Sequence, residues 1–103
     1  YSAAEFFASS FQEFGTGTVV GEKTCGKGNF QTSFPLSDGS MLNISIGKYY
    51  TPSGKSLSET GVTPDIEVSI SDEDYAAVYY GTLEDADDAQ LQAAIDAVRA
   101  KIS

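Results

Sequence analysis

Residues 29–50, "NFQTSFPLSDGSMLNISIGKYY", restrict the fold more than any other stretch of this chain. Phe30, Thr32, Phe34 and Leu36 alternate with Gln31, Ser33 and Pro35, the period of two that belongs to a strand with distinct faces. A second alternating run follows, and "SDG" between them carries turn chemistry. Residues 29–36 and 40–50 therefore read as an antiparallel hairpin. Loop length sets its register. A three-residue loop with Gly39 left-handed puts Phe30, Thr32, Phe34 and Leu36 opposite Ile46, Ile44, Leu42 and Ser40; a two-residue Asp-Gly loop pairs Phe34 with Asn43 instead. Gln31 falls on the face opposite Phe30, toward wherever Lys27 lies.

Helices flank the hairpin. "YSAAEFF" begins one at Ser2, with Glu5 three residues on as in a capping box and Phe7, Phe11 and Phe14 at helical spacing up to Gly15. Residues 18–22 read as a short apolar strand, "TPSGKSLSET" as a loop, and "DIEVSI" as a strand with Ile66, Val68 and Ile70 on one face. Ser71 caps "DEDYAAVYY", which stops at Gly81. "DDAQLQAAIDAVRAKI" sets Leu91, Ala94, Ile95, Val98 and Ile102 on one stripe, for core packing or a partner contact. The expectation is an α/β chain in two parts, 1–70 and 71–103, joined by the acidic connection "GTLEDADD".

Composition excludes several functions. Residues 1–58 carry four acids and four lysines, whereas residues 59–103 carry eleven acids against Arg99 and Lys101, so the whole charge of −9 lies in the C-terminal part. Nucleic acid and anionic membrane are disfavoured as partners, because affinity for phosphate comes from clustered Lys and Arg. No run of 18 apolar residues is present. A single cysteine allows no internal disulfide and has no companions for a metal site. The absence of histidine removes the Ser-His-Asp triad and histidine metal ligands together. A nucleophile in this chain needs another base, and a lysine serves if burial makes it neutral.

"GEKTCGKG" nearly matches the phosphate-binding pattern G-x-x-x-x-G-K-[ST]. Gly28 stands where the hydroxyl residue belongs, and a strand follows where a helix should begin. Two readings of Lys27 stay open on the residues alone: a solvated lysine in a glycine-flanked turn, or a base in a tight, partly apolar place beside Cys25 and Phe30. Ser2 is equally double. It is a helix cap worth about 1 kcal/mol, or a nucleophile beside backbone donors suited to an oxyanion. Cys25 reads as a small buried hydrophobe, since no histidine is available to activate its thiol.

"SAAE", "GTVVGEKTCGKGNFQ", "FPLSDGSMLNISIGKYYTPSGKSL", "GVTPDIEV" and "DDAQLQAAIDAV" together resemble the C-terminal processing, or tail-specific, serine peptidases. The resemblance runs from residue 1 to about residue 98. It implies Ser2 as nucleophile, Lys27 as its base 25 residues on, Gln31 as the residue that orients the lysine, and the Ala3 N–H as one oxyanion donor. It also implies a fold: the C-terminal segment of a Clp-protease/crotonase-like spiral core carrying the hairpin and C-terminal helices. Cys25 departs from the family, which has phenylalanine before Gly-Lys. The resemblance implies an extracytoplasmic enzyme with a polypeptide substrate and no cofactor or metal, and a peptide-binding domain in upstream chain. A start one residue before a helix cap is read as a cut, so the isolated segment is expected to be inactive and to self-associate. The rival reading is a non-catalytic peptide-binding or scaffolding module on the same fold.

Overall fold

The computed structural model describes residues 1–102 and mixes helices with two small two-stranded sheets. The chain forms two compact units, residues 1–17 with 24–62 and residues 18–23 with 63–103, a partition that cuts across the segments 1–70 and 71–103.

The first unit opens with α1, Ala3–Glu13, whose last turn closes at Phe14 before a left-handed Gly15 (φ 67°). Its buried face is not the aromatic stripe. Phe7, Phe11 and Phe14 are exposed, and Glu5 and Ser9, one turn apart, are buried instead. Ser9 satisfies its hydroxyl on the Phe6 carbonyl at 2.9 Å. At the far end of α1, Glu13 accepts from the Ser53 N–H (2.7 Å) and hydroxyl (2.8 Å), which ties the "TPSG" turn to the helix.

The hairpin of the first unit comprises β2, Asn29–Pro35, and β3, Met41–Lys48. Gln31, Thr32, Ser33, Phe34 and Pro35 face Ser45, Ile44, Asn43, Leu42 and Met41, the register set by a three-residue loop. Leu36 N–H donates to the Ser40 carbonyl at 2.9 Å across that loop, and Gly39 takes φ 88°. Phe30 departs from expectation: a bulge between Phe30 and Gln31 sets it opposite Gly47 rather than Ile46. The cause is steric. A Cβ on residue 47 would lie 2.4 Å from the Phe30 ring, so only glycine admits the ring there. That ring meets Tyr49 at 5.4 Å between centroids, and Tyr49 meets Phe6 of α1 at 6.0 Å. Leu57 and Val62 are the unit's buried hydrophobic residues.

In the second unit β1, Val20–Gly21, runs parallel to β4, Ile66–Glu67. The expected strand over 65–70 shortens to two residues because β1 offers only two partners. Asp65 frames this pairing, accepting from Val19 N–H at 2.8 Å through its carboxylate. Ser71 caps α2, Asp72–Tyr80, by accepting from Asp74 N–H at 3.0 Å, and Gly81 ends it left-handed at φ 67°. Asp88 accepts from Leu91 N–H at 2.9 Å at the start of α3, Ala89–Ile102. Gln90 of α3 donates to the Val68 carbonyl at 2.8 Å. The stripe on α3 is only partly covered: Val98 and Ile102 are 58% and 79% exposed.

The loop geometry yields a test. Open space surrounds Gly39, so Gly39→Ala meets only the left-handed backbone penalty of about 1 kcal/mol. Amide exchange at Leu36 should quicken about fivefold, and Gly39→Asn should recover part of the protection.

Candidate active site

Ser2, Ala3, Lys27 and Gln31 all lie in the first unit. Ser2 is half-buried at the head of α1, with φ 58° and ψ −122°. A non-glycine residue at positive φ stores about 1–3 kcal/mol of strain and persists only where its surroundings impose it. Ala3, the first residue of the helix, is exposed, and the N–H groups of a first turn have no intrahelical acceptor.

The surroundings that hold Ser2 converge on Glu5, which is 1% exposed. Its Oε2 accepts from the Ser2 N–H at 2.8 Å and from the Lys27 N–H at 2.9 Å. Its Oε1 accepts from the Gly26 N–H at 2.7 Å and from the Thr24 hydroxyl. The Cys25 thiol stands 3.8 Å from Oε2. Residues from 19 to 22 positions downstream are thus gathered on one carboxylate at the helix N-terminus. Burial opposes the charge, but the bonds from Thr24, Gly26, Ser2 and Lys27 outweigh it and hold the Glu5 pKa down at about 2.

Thr24 passes the connection on. Its hydroxyl accepts from the Val62 N–H at 2.7 Å, and its own N–H donates to the Val62 carbonyl at 3.1 Å. This close approach of two backbones explains the glycines that imitate a phosphate loop. A Cβ on Gly28 would lie 2.4 Å from the Ser58 nitrogen, and one on Gly61 would lie 2.1 Å from the Thr24 carbonyl oxygen. Gly26, at φ 78°, would press on Gly61 and Glu59 in the same way. The glycines flanking Lys27 serve packing against residues 57–62.

The side chains are less closely joined than the main chain. Lys27 is exposed, in contrast to the enclosed place the sequence suggested, and its ammonium lies 5.0 Å from the centroid of the Tyr1 ring. Gln31 is exposed on β2 and its amide reaches the Ser45 hydroxyl across the hairpin at 3.5 Å. The structure brings Ser2 and Lys27 together through their backbones and leaves Gln31 with Ser45. Cys25 is exposed, which corrects its reading as a buried hydrophobe: Glu5 draws the 24–27 main chain inward, and the thiol touches only the rim of that contact. Sequence reasoning took Glu5 as a capping partner and missed its reach to residues 24–27. The position of Glu5 with Ser9 on the helix face opposite Phe7, Phe11 and Phe14 was the available signal. The strain at Ser2 had none.

Comparison with known proteins extends the picture. A family profile described as peptidase family S41 matches residues 1–68. A carboxyl-terminal-processing protease from Synechocystis sp. is 36% identical over 95 residues, which are 92% of this chain and 21% of that protein. A carboxy-terminal-processing protease from Bartonella bacilliformis is 42% identical over 67 residues, covering 65% of this chain and 15% of its own length. Among solved structures, a photosystem II D1 C-terminal processing protease superposes with a TM-score of 0.58 at 38% identity, covering 66% of this chain and 18% of that one. The chain thus spans about a fifth or less of the length of these relatives.

Two outcomes follow from the geometry. The depressed Glu5 pKa contributes stability that is fully present above the unfolded value of 4.5 and is lost as pH falls toward about 2. Its magnitude is about 3 kcal/mol, so urea midpoints should drop between pH 5 and pH 2 in the native chain and much less in Glu5→Gln. Gly28→Ala forces backbone against backbone and should destabilise by about 3 kcal/mol, read by urea denaturation at pH 7.

Proposed function

The chain belongs to peptidase family S41, and from that membership we propose that it carries the nucleophile and base of a serine endopeptidase that hydrolyses peptide bonds near protein C-termini. The observation that supports this best is the strained Ser2 at the head of α1, sharing one carboxylate oxygen with the Lys27 main chain. Strain of this kind concentrates where a side chain must be presented for chemistry.

In this reading Ser2 Oγ attacks the scissile carbonyl carbon while the neutral amine of Lys27 takes its proton. The tetrahedral oxyanion receives a hydrogen bond from the Ala3 N–H at the helix N-terminus. The amine then returns the proton to the leaving nitrogen, and water releases the acyl group by the reverse sequence. Gln31 orients the lysine by its side-chain amide, which requires that it leave Ser45. The bonds from Gly26 and Lys27 to Glu5 fix the turn from which Lys27 projects. We place the chain in the C-terminal part of a Clp-protease/crotonase-like spiral core, outside the cytoplasm.

A lysine becomes a base when its surroundings exclude water and destabilise its charge. Lys27 is exposed here, so we further propose that the 103 residues alone do not cleave peptides. The same exposure, with the amine over Tyr1, favours the second reading, a non-catalytic peptide-binding module. Kinetics separate the two. In the intact protein Ser2→Ala and Lys27→Ala should each lower kcat/KM for an unstructured peptide by about 1000-fold or more, and the double variant should be little worse than either, because the pair acts as one unit. Undiminished cleavage by Lys27→Ala would remove the dyad, and absence of Ser2-dependent cleavage in the intact protein would favour the binding module.

A further inference from the structure

Resting on the reading of Ser2 and Lys27 as nucleophile and base, we propose that Glu5 is the positioning residue of the pair, setting their separation by holding the main chain at both. The side chain of Glu5 is buried and is itself engaged wholly with the protein. Its influence on the reaction runs through what it holds. A carboxylate offers acceptors only, about four lone-pair sites on two oxygens. Four strong donors occupy them: the Ser2 and Lys27 N–H groups on Oε2, and the Gly26 N–H and Thr24 hydroxyl on Oε1.

The chemistry of this set explains why an acid stands here. Burying a carboxylate without compensation is strongly unfavourable, and the compensation here consists of hydrogen-bond donors from two separate segments, the head of α1 and residues 24–27. The charge is satisfied only when both segments are in place. An apolar residue would fill the space without fixing the register of one segment against the other. Glutamine has nearly the same shape, yet its NH2 group would face N–H donors and leave one oxygen where two are required. Thr24 is part of the same device, because its hydroxyl is oriented by accepting from Val62 N–H while it donates to Glu5.

A misplacement of about 1 Å between reacting groups lowers rate by about 100-fold. In the intact protein, Glu5→Gln should therefore lower kcat by about 100-fold and leave KM within about threefold, a split expected of a group that places the reacting atoms without binding substrate. Thr24→Val should lower kcat by about tenfold, and Thr24→Ser, which restores the hydroxyl, should recover it. If Glu5→Gln does not fold, the Thr24 pair decides. Hydrogen exchange supplies a readout independent of catalysis: the Gly26 and Lys27 amides should exchange at least about tenfold faster in Glu5→Gln and at the native rate in Ser2→Ala. Full kcat in Glu5→Gln, a loss confined to KM, or a Thr24→Val defect that Thr24→Ser fails to correct overturns the proposal. Native cleavage by Ser2→Ala overturns the dyad instead, and the exchange result still decides whether Glu5 holds the turn.

Discussion

One buried carboxylate carries the organisation of the first unit. Glu5 lies one turn into α1, and its two oxygens collect the N–H of Ser2, the hydroxyl of Thr24 and the N–H groups of Gly26 and Lys27. Desolvation works against the charge, so the arrangement is stable only because the donors outweigh it. The consequences spread outward. Ser2 is held at positive φ, the turn bearing Lys27 is drawn against the helix, and Thr24 carries the link to Val62. At the other end of the helix Glu13 performs a simpler version of the same task on Ser53.

Close backbone approach is the second constraint, and it gives the glycines their meaning. Gly26, Gly28 and Gly61 each stand where a Cβ would strike main-chain atoms of the facing segment. A Gly-Lys-Gly turn therefore needs no phosphate to account for it. It presents the lysine side chain outward while its main chain is pressed inward.

Much of the fold was legible in the sequence because it is set by local chemistry. Gly39 in a three-residue loop fixes the hairpin register from Gln31 to Pro35, and Ser71 and Gly81 bracket α2 as their cap chemistry requires. The shift at Phe30 was not legible, because it depends on a ring seeking the space above Gly47. Period alone also misjudged burial on α1: the helix turns Glu5 and Ser9 inward and leaves Phe7 and Phe14 exposed. Hydrogen bonds to a residue about twenty positions away decide that orientation, and no window along the chain contains them. The same holds for the site. Ser2, Lys27 and Gln31 are candidates through the resemblance to a peptidase family, whereas the carboxylate that joins the main chain of the first two appears only in three dimensions.

The account rests on Glu5 being a single ionised acceptor shared by Ser2, Gly26 and Lys27, and an NMR titration tests it most directly. The Glu5 carboxyl carbon and the amide protons of those three residues would be followed from pH 6 downward. The account predicts one common inflection for all four signals, at a pH of about 2. Inflections near 4.5, the ordinary value for a glutamate, or amide protons that move independently of the carboxyl carbon, would contradict it.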